Sequence, residues 1–234
     1  MTFHSLIKAT VVGAFCLWFS IGTAQELDET NTAETESSST FYNNEARQRF
    51  FAFMIGGHRA FTSGDNFMGE GLEGGSGIDF RVQMYIYKHF FVGLASNATY
   101  FDVKNQELLG SYRNSRVAGN YVYLGYEFLP AEDFRLGLQV SVSGDVDFKN
   151  TGFSTTDIAE QHDSARLNRY GFYLNYELAP HFMLYLDYGY NVLHTDIEAP
   201  SAYESFFSKG TYSTVGLGLV FTIGRRDLIS RFLE

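Results

Sequence analysis

Apolar and polar residues alternate along eight separate runs of this chain. The runs cover residues 48–60, 76–87, 91–101, 116–128, 134–147, 166–178, 182–194 and 211–223. In the second run Ile78, Phe80, Val82, Met84 and Ile86 interleave with Asp79, Arg81, Gln83, Tyr85 and Tyr87. In the fifth, Phe134, Leu136, Leu138, Val140 and Val142 interleave with Arg135, Gly137, Gln139, Ser141 and Ser143. The seventh sets Phe182, Leu184, Leu186 and Tyr188 against Met183, Tyr185, Asp187 and Gly189. A period of two belongs to a β-strand and places the two sets on opposite faces. The runs span 11–14 residues, whereas soluble strands usually have about 5–6 and membrane-crossing strands about 9–11.

The connections fall into two kinds. Three are short (88–90, 129–133, 179–181) and four are long and polar (61–75, 102–115, 148–165, 195–210), in strict alternation. Strands that run up and down across an apolar layer, with tight turns on one side and long loops on the other, make this rhythm. The turns carry a register test. Pairing Tyr87 with Phe91, Phe128 with Phe134 and Leu178 with Phe182 keeps the apolar set on one side throughout, where a slip of one residue would invert a strand. Pro130 and Pro180 fall in turns and Pro200 in a loop, so none of the three prolines interrupts a ladder.

The apolar set is bulky, while the polar set combines small residues with charges of both signs. Small and paired polar groups suit a crowded interior, and the bulky set suits lipid. The expected fold is all-β, an eight-stranded antiparallel up-and-down transmembrane β-barrel. The competing fold, a secreted soluble lipocalin-like binding barrel, would turn the apolar set inward.

The stretch Leu124-Gly125-Tyr126-Glu127-Phe128-Leu129-Pro130 echoes Leu174-Asn175-Tyr176-Glu177-Leu178-Ala179-Pro180. Each closes a strand that descends to a short turn. With strand number, turn asymmetry and this Gly-Tyr-Glu and aromatic pattern together, residues 48–224 resemble the small eight-stranded outer-membrane barrels of the OmpA/OmpX type from Gram-negative bacteria. The resemblance implies an outer-membrane location with both termini periplasmic and insertion by the barrel-assembly machinery. It implies outer-membrane lipid and lipopolysaccharide as surroundings, and a monomer. One departure stands out. Such barrels often end on an aromatic residue of the last strand, whereas here Gly224–Glu234 follows it and Phe232 is not terminal.

Composition refines the ends of the chain. Lys8 precedes an apolar run over 9–22 and small residues at 22–24, the pattern of a secretory signal over 1–24. Cys16, the single cysteine, lies inside it. The formal net charge is −10, and six acidic residues between Glu26 and Glu45 precede Arg47. Residues 25–46 have too little apolar surface to fold and read as an acidic, disordered linker. The expected organisation is then a barrel over 47–224 and a short tail over 225–234. The acidic balance argues against nucleic acid as a partner.

Candidate chemistry gathers on the inward face: Asp79, Arg81, Glu127, Arg135, Arg169, Glu177 and Asp187. The turn register puts Glu127 directly opposite Arg135. An eight-stranded interior is just wide enough to fill with side chains, so these groups read as a salt-bridged lumenal network. Outward Tyr100, Tyr170, Tyr188 and Tyr190 toward the loops, and Tyr126, Phe128, Phe134, Tyr176 and Phe182 toward the turns, read as two interfacial belts. His162-Asp163-Ser164 invites a hydrolase reading, but a catalytic relay needs groups that converge in space rather than neighbours in sequence. His58 and His194 near loop ends match no motif. Nothing here has metal-ligand or cofactor spacing, and no catalytic residue is assigned. The expected role is non-enzymatic: envelope structure and surface contact through four loops whose ligand is unknown. A narrow pore and a lipid A-modifying enzyme are the rival functions.

Overall fold

The computed structural model describes residues 47–152, 160–197, 201 and 203–233. The expected signal and linker lie outside them. The strands are β1 (Phe51–Thr62), β2 (Leu72–Tyr87), β3 (Phe90–Val103), β4 (Tyr112–Ala131), β5 (Phe134–Gly152), β6 (Glu160–Ala179), β7 (Phe182–Thr195) and β8 (Lys209–Ile223). Each pairs antiparallel with its sequence neighbours, and β1 closes on β8.

The pairing gives the barrel its tilt. Starting from Phe51, cross-strand partners run through Met84, Val92, Leu124, Val140, Tyr170, Tyr190 and Ser213, and return to β1 at Phe61, ten residues further on. A shear of ten over eight strands sets the strands at about 40° to the axis. At that tilt Phe51 and Phe61 are separated by about 25 Å along the axis, the height of a lipid-facing apolar band.

The faces sort as the alternation requires. Ile55, Ile78, Leu94, Leu138, Leu186 and Leu217 stand exposed on the outer wall, while Arg81, Gln83, Glu127 and Arg135 are buried inside. An outer wall of this kind is tolerated only in lipid, which excludes the lipocalin-like alternative. Near the turns, the cross-strand partners Phe90 and Tyr126, Phe134 and Tyr176, and Phe182 and Phe221 hold their rings 4.7, 5.0 and 5.2 Å apart. With Phe51 they form an interfacial girdle close to one level. On the loop side Phe61 and Tyr100 reach the top of the band, while Tyr170 and Tyr190 face outward at a lower level.

All three turns are tighter than their sequences indicate. Tyr87 pairs Phe90, Ala131 pairs Phe134 and Ala179 pairs Phe182, each across two residues, followed by a register shift into the main ladder. The expected pairings of Tyr87 with Phe91 and Phe128 with Phe134 are therefore corrected: Phe91 faces Tyr85 and Phe128 faces Leu136. Leu178 and Phe182 fall in the expected ladder, because Glu177 pairs Met183, but the two-residue turn sets Phe182 against Ala179. A shift of two preserves the face, so the in/out assignment survives. Tight hairpins need unusual backbone angles, and Lys88 and His181 have positive φ of 53° and 72°.

The strands also run past the expected segments on the loop side. β4 and β6 have 20 residues and β5 has 19, because backbone pairing continues beyond the bilayer edge where the apolar alternation stops. In β5 the register against both neighbours slips by one residue between Val140 and Asp145. Beyond this bulge the faces invert: Val146 and Phe148 point inward and Asp145 and Asp147 outward.

Among the described residues, three short helices cap the loop side: α1 (Phe67–Gly71), α2 (Gln106–Leu109) and α3 (Glu204–Phe207). The Asn66 side chain accepts from the backbone N–H of Met68 and Gly69, both at 3.1 Å, and so fixes the start of α1. Phe67 and Met68 are thereby driven into the barrel mouth, where both are buried. At the turn side the tail returns to the rim. Leu228 and Ile229 donate backbone hydrogen bonds to Tyr85 and Ile86, and Arg231 lies 4.0 Å over the Phe50 ring.

Candidate functional site in the barrel lumen

The seven inward charges fall into two layers. The loop-side layer is an alternating chain. Arg81 donates from Nε and Nη2 to Asp79 Oδ1 at 3.0 and 2.7 Å. The same Nη2 reaches Asp187 Oδ2 at 3.0 Å, and Arg169 Nη2 donates to that oxygen at 2.8 Å. Two carboxylates thus balance two guanidinium groups away from water. Neutral neighbours complete the layer: Tyr185 donates to Asp79, and Arg169 Nη1 donates to Asn191 and Thr214. His58 joins Thr99 at 2.8 Å to Asp79 at 3.4 Å.

The turn-side layer centres on Arg135 and Glu127, both without solvent exposure. Arg135 Nη1 donates to Glu127 Oε1 at 2.7 Å and Nε to Glu177 Oε1 at 2.6 Å. The expectation that Glu127 stands directly opposite Arg135 is corrected. Glu127 pairs Gly137 and Arg135 pairs Asn175, because the tight β4–β5 turn shifts the register by two. The ion pair survives because the long arginine spans the diagonal. Tyr85 and Tyr173 both donate to Glu127 Oε2, at 2.9 and 3.0 Å. From below, Arg47 Nη2 donates to Glu177 Oε1 at 2.7 Å while Arg135 donates to the Arg47 carbonyl at 2.8 Å. His89 is buried in the β2–β3 turn, 4.0 Å from Glu127 Oε1. Burial pushes its pKa below the usual imidazole value, and Arg135 and Arg47 add to this against the opposing pull of Glu127.

Between the layers lies a tier of rings and amides: Tyr85, Phe91, Tyr123, Tyr173, Tyr185 and Gln83, all buried. Tyr173 lies across its strand partner Gly137, where a Cβ would overlap the ring. Above the loop-side charges the interior turns apolar, with Phe101, Val117, Val146, Leu167, Leu193 and Tyr212 buried beneath α1.

The seven charged residues share these layers with Arg47, Arg49 and the tyrosine donors, which the alternation alone did not single out. Tyr85 and Tyr185 did sit in the inward register. Arg47 precedes the first run, and Arg49 stands at its start before Phe50 and Phe51, where no alternation marks a face. His162, Asp163 and Ser164 lie on β6, whose alternation buries Asp163 partly and turns His162 and Ser164 outward, so they do not converge. His58 points into the lumen and His194 away from it. Among the described residues no group of three or more His, Cys, Asp or Glu is placed to hold a metal ion.

A closed eight-stranded barrel with a lipid-facing wall and a charged, filled interior defines an integral outer-membrane β-barrel. The chain belongs to the outer membrane protein β-barrel domain family, which it matches over residues 24–221. Its fold is similar to that of Neisserial surface protein A, with a TM-score of 0.54 and 11% identity over 74% of this chain and 97% of that one. It is also similar to Ail of Yersinia pestis, with a TM-score of 0.45 and 14% identity over 74% of this chain and 100% of that one. For OprG of Pseudomonas aeruginosa the values are 0.45 and 14%, over 75% and 97%. No curated protein matches the chain in sequence.

Proposed function

We propose that this barrel is a non-enzymatic, non-conducting scaffold of the outer membrane. It supports the envelope and presents its loop-side end for contact outside the cell, with both termini in the periplasm. The observation that carries this reading is the filled lumen. Arg81, Arg135, Tyr85, Tyr123, Tyr173 and Tyr185 are all fully buried inside the barrel, so the polar interior serves as a packed core. The surrounding lipid, including lipopolysaccharide, acts as solvent for the outer wall, and the chain acts as a monomer inserted by the barrel-assembly machinery.

Labelling of intact cells with a membrane-impermeant maleimide tests presentation and orientation together. A Ser201→Cys variant on the loop side should label without permeabilisation. A Leu233→Cys variant in the tail should label only after it. The reverse pattern would overturn the reading.

A further inference from the structure

We infer that the loop-side mouth holds a binding site for a compact bicyclic aromatic molecule bearing one N–H or O–H donor. Here a cavity of about 220 Å³ opens above the apolar tier. Its volume exceeds the roughly 150 Å³ apolar cavity that accepts a single benzene ring, so a fused second ring fits.

The walls are of two kinds. One side is apolar and aromatic: Leu72, Val103, Leu109 of α2, and Phe67 and Phe207 from α1 and α3. The Phe67 and Phe207 rings stack at 6.3 Å, and Phe67 meets Phe148 edge-on at 5.8 Å. Flat, edge-rich walls favour an aromatic guest in offset or edge-to-face contact. The opposite side is a polar line. Ser115, Asn150 and Gln161 are successive cross-strand partners on β4, β5 and β6, and all three line the cavity.

Ser115 supplies the independent pointer to a ligand. It is 1% exposed, and its Oγ has no hydrogen-bond partner among the described residues. A buried hydroxyl left unpaired is destabilising, and a guest that donates to its oxygen relieves part of the deficit. On the β6 side of the cavity the partly buried Asp163 accepts from Gln161 Nε2 at 3.0 Å and keeps acceptor capacity for the same guest. Asp163 and the side-chain oxygens of Ser115 and Asn150 can each accept at the cavity wall, which favours a donor-bearing ring over a plain hydrocarbon. The β5 bulge is what brings Phe148 and Asn150 inward.

Binding of indole and 1-methylindole to the full mature chain in lipid nanodiscs tests the inference. Empty nanodiscs correct for partitioning. Wild type should bind indole saturably and 1-methylindole at least about five-fold more weakly. Leu109→Trp, which fills the cavity, should abolish saturable binding of both, and Ser115→Ala should erase the preference for indole. Heat-modifiable gel mobility reports folding of each variant. If Leu109→Trp fails to fold, the Ser115→Ala comparison decides alone. No saturable indole binding by wild type, unchanged binding by folded Leu109→Trp, or an indole preference that survives Ser115→Ala would each overturn the inference.

Discussion

Glu127 and Arg135 form a 2.7 Å ion pair without being strand partners. The arginine reaches across a diagonal that the tight turn creates, and its second arm binds Glu177 at 2.6 Å. Breaking a buried pair leaves one charge without compensation, at about 3–5 kcal/mol. Glu127→Gln and Arg135→Met should each lower stability by that order in denaturant unfolding from lipid vesicles. The double variant should be less destabilised than the sum of the two, with a coupling of about 2 kcal/mol. Additive losses would show that the two residues act separately.

Gly137 lets the Tyr173 ring cross its own strand partner and reach Glu127. Gly137→Ala forces that ring aside and should lower stability by about 1–3 kcal/mol, as overpacking does. Adding Tyr173→Ala should remove the clash, so the double variant should show less than additive loss. Thermal gel-shift midpoints check both.

His89 makes the turn side sensitive to pH. Its folded pKa is depressed by burial, below an unfolded value of about 6.5. The folded state therefore binds fewer protons. This contribution is fully present above the unfolded pKa and is lost as pH falls through it toward the folded value. Between pH 7.5 and 5, wild type should lose more stability than His89→Gln. Parallel losses in the two proteins would contradict this.

The β5 bulge sets which side chains meet water above the membrane. Asp147→Cys should react rapidly with a soluble maleimide in detergent-free vesicles, and Val146→Cys should be protected. Equal protection would mean that the face does not invert.

How far the sequence carried the fold follows from these residues. The alternation of Ile78 through Ile86, with Asp79 and Arg81 between them, was enough to assign inside and outside, because lipid and lumen differ sharply. Parity also survived errors in turn length, since both register corrections were by two. The bulge was not legible: the run from Phe134 to Ser143 keeps its alternation up to the slip, and a single extra residue has no composition of its own. Arg47 and Arg49 were hidden for a different reason. Their partners Glu177 and Arg135 lie far along the chain, and only closure of the barrel brings them to one end.

We propose that two layers of paired charge close the lumen. Single-channel recording in planar bilayers tests it most directly. The purified barrel should give no discrete openings at moderate voltage. Regular, voltage-independent openings by wild type, lost on enlarging a side chain that faces the lumen, would contradict the claim.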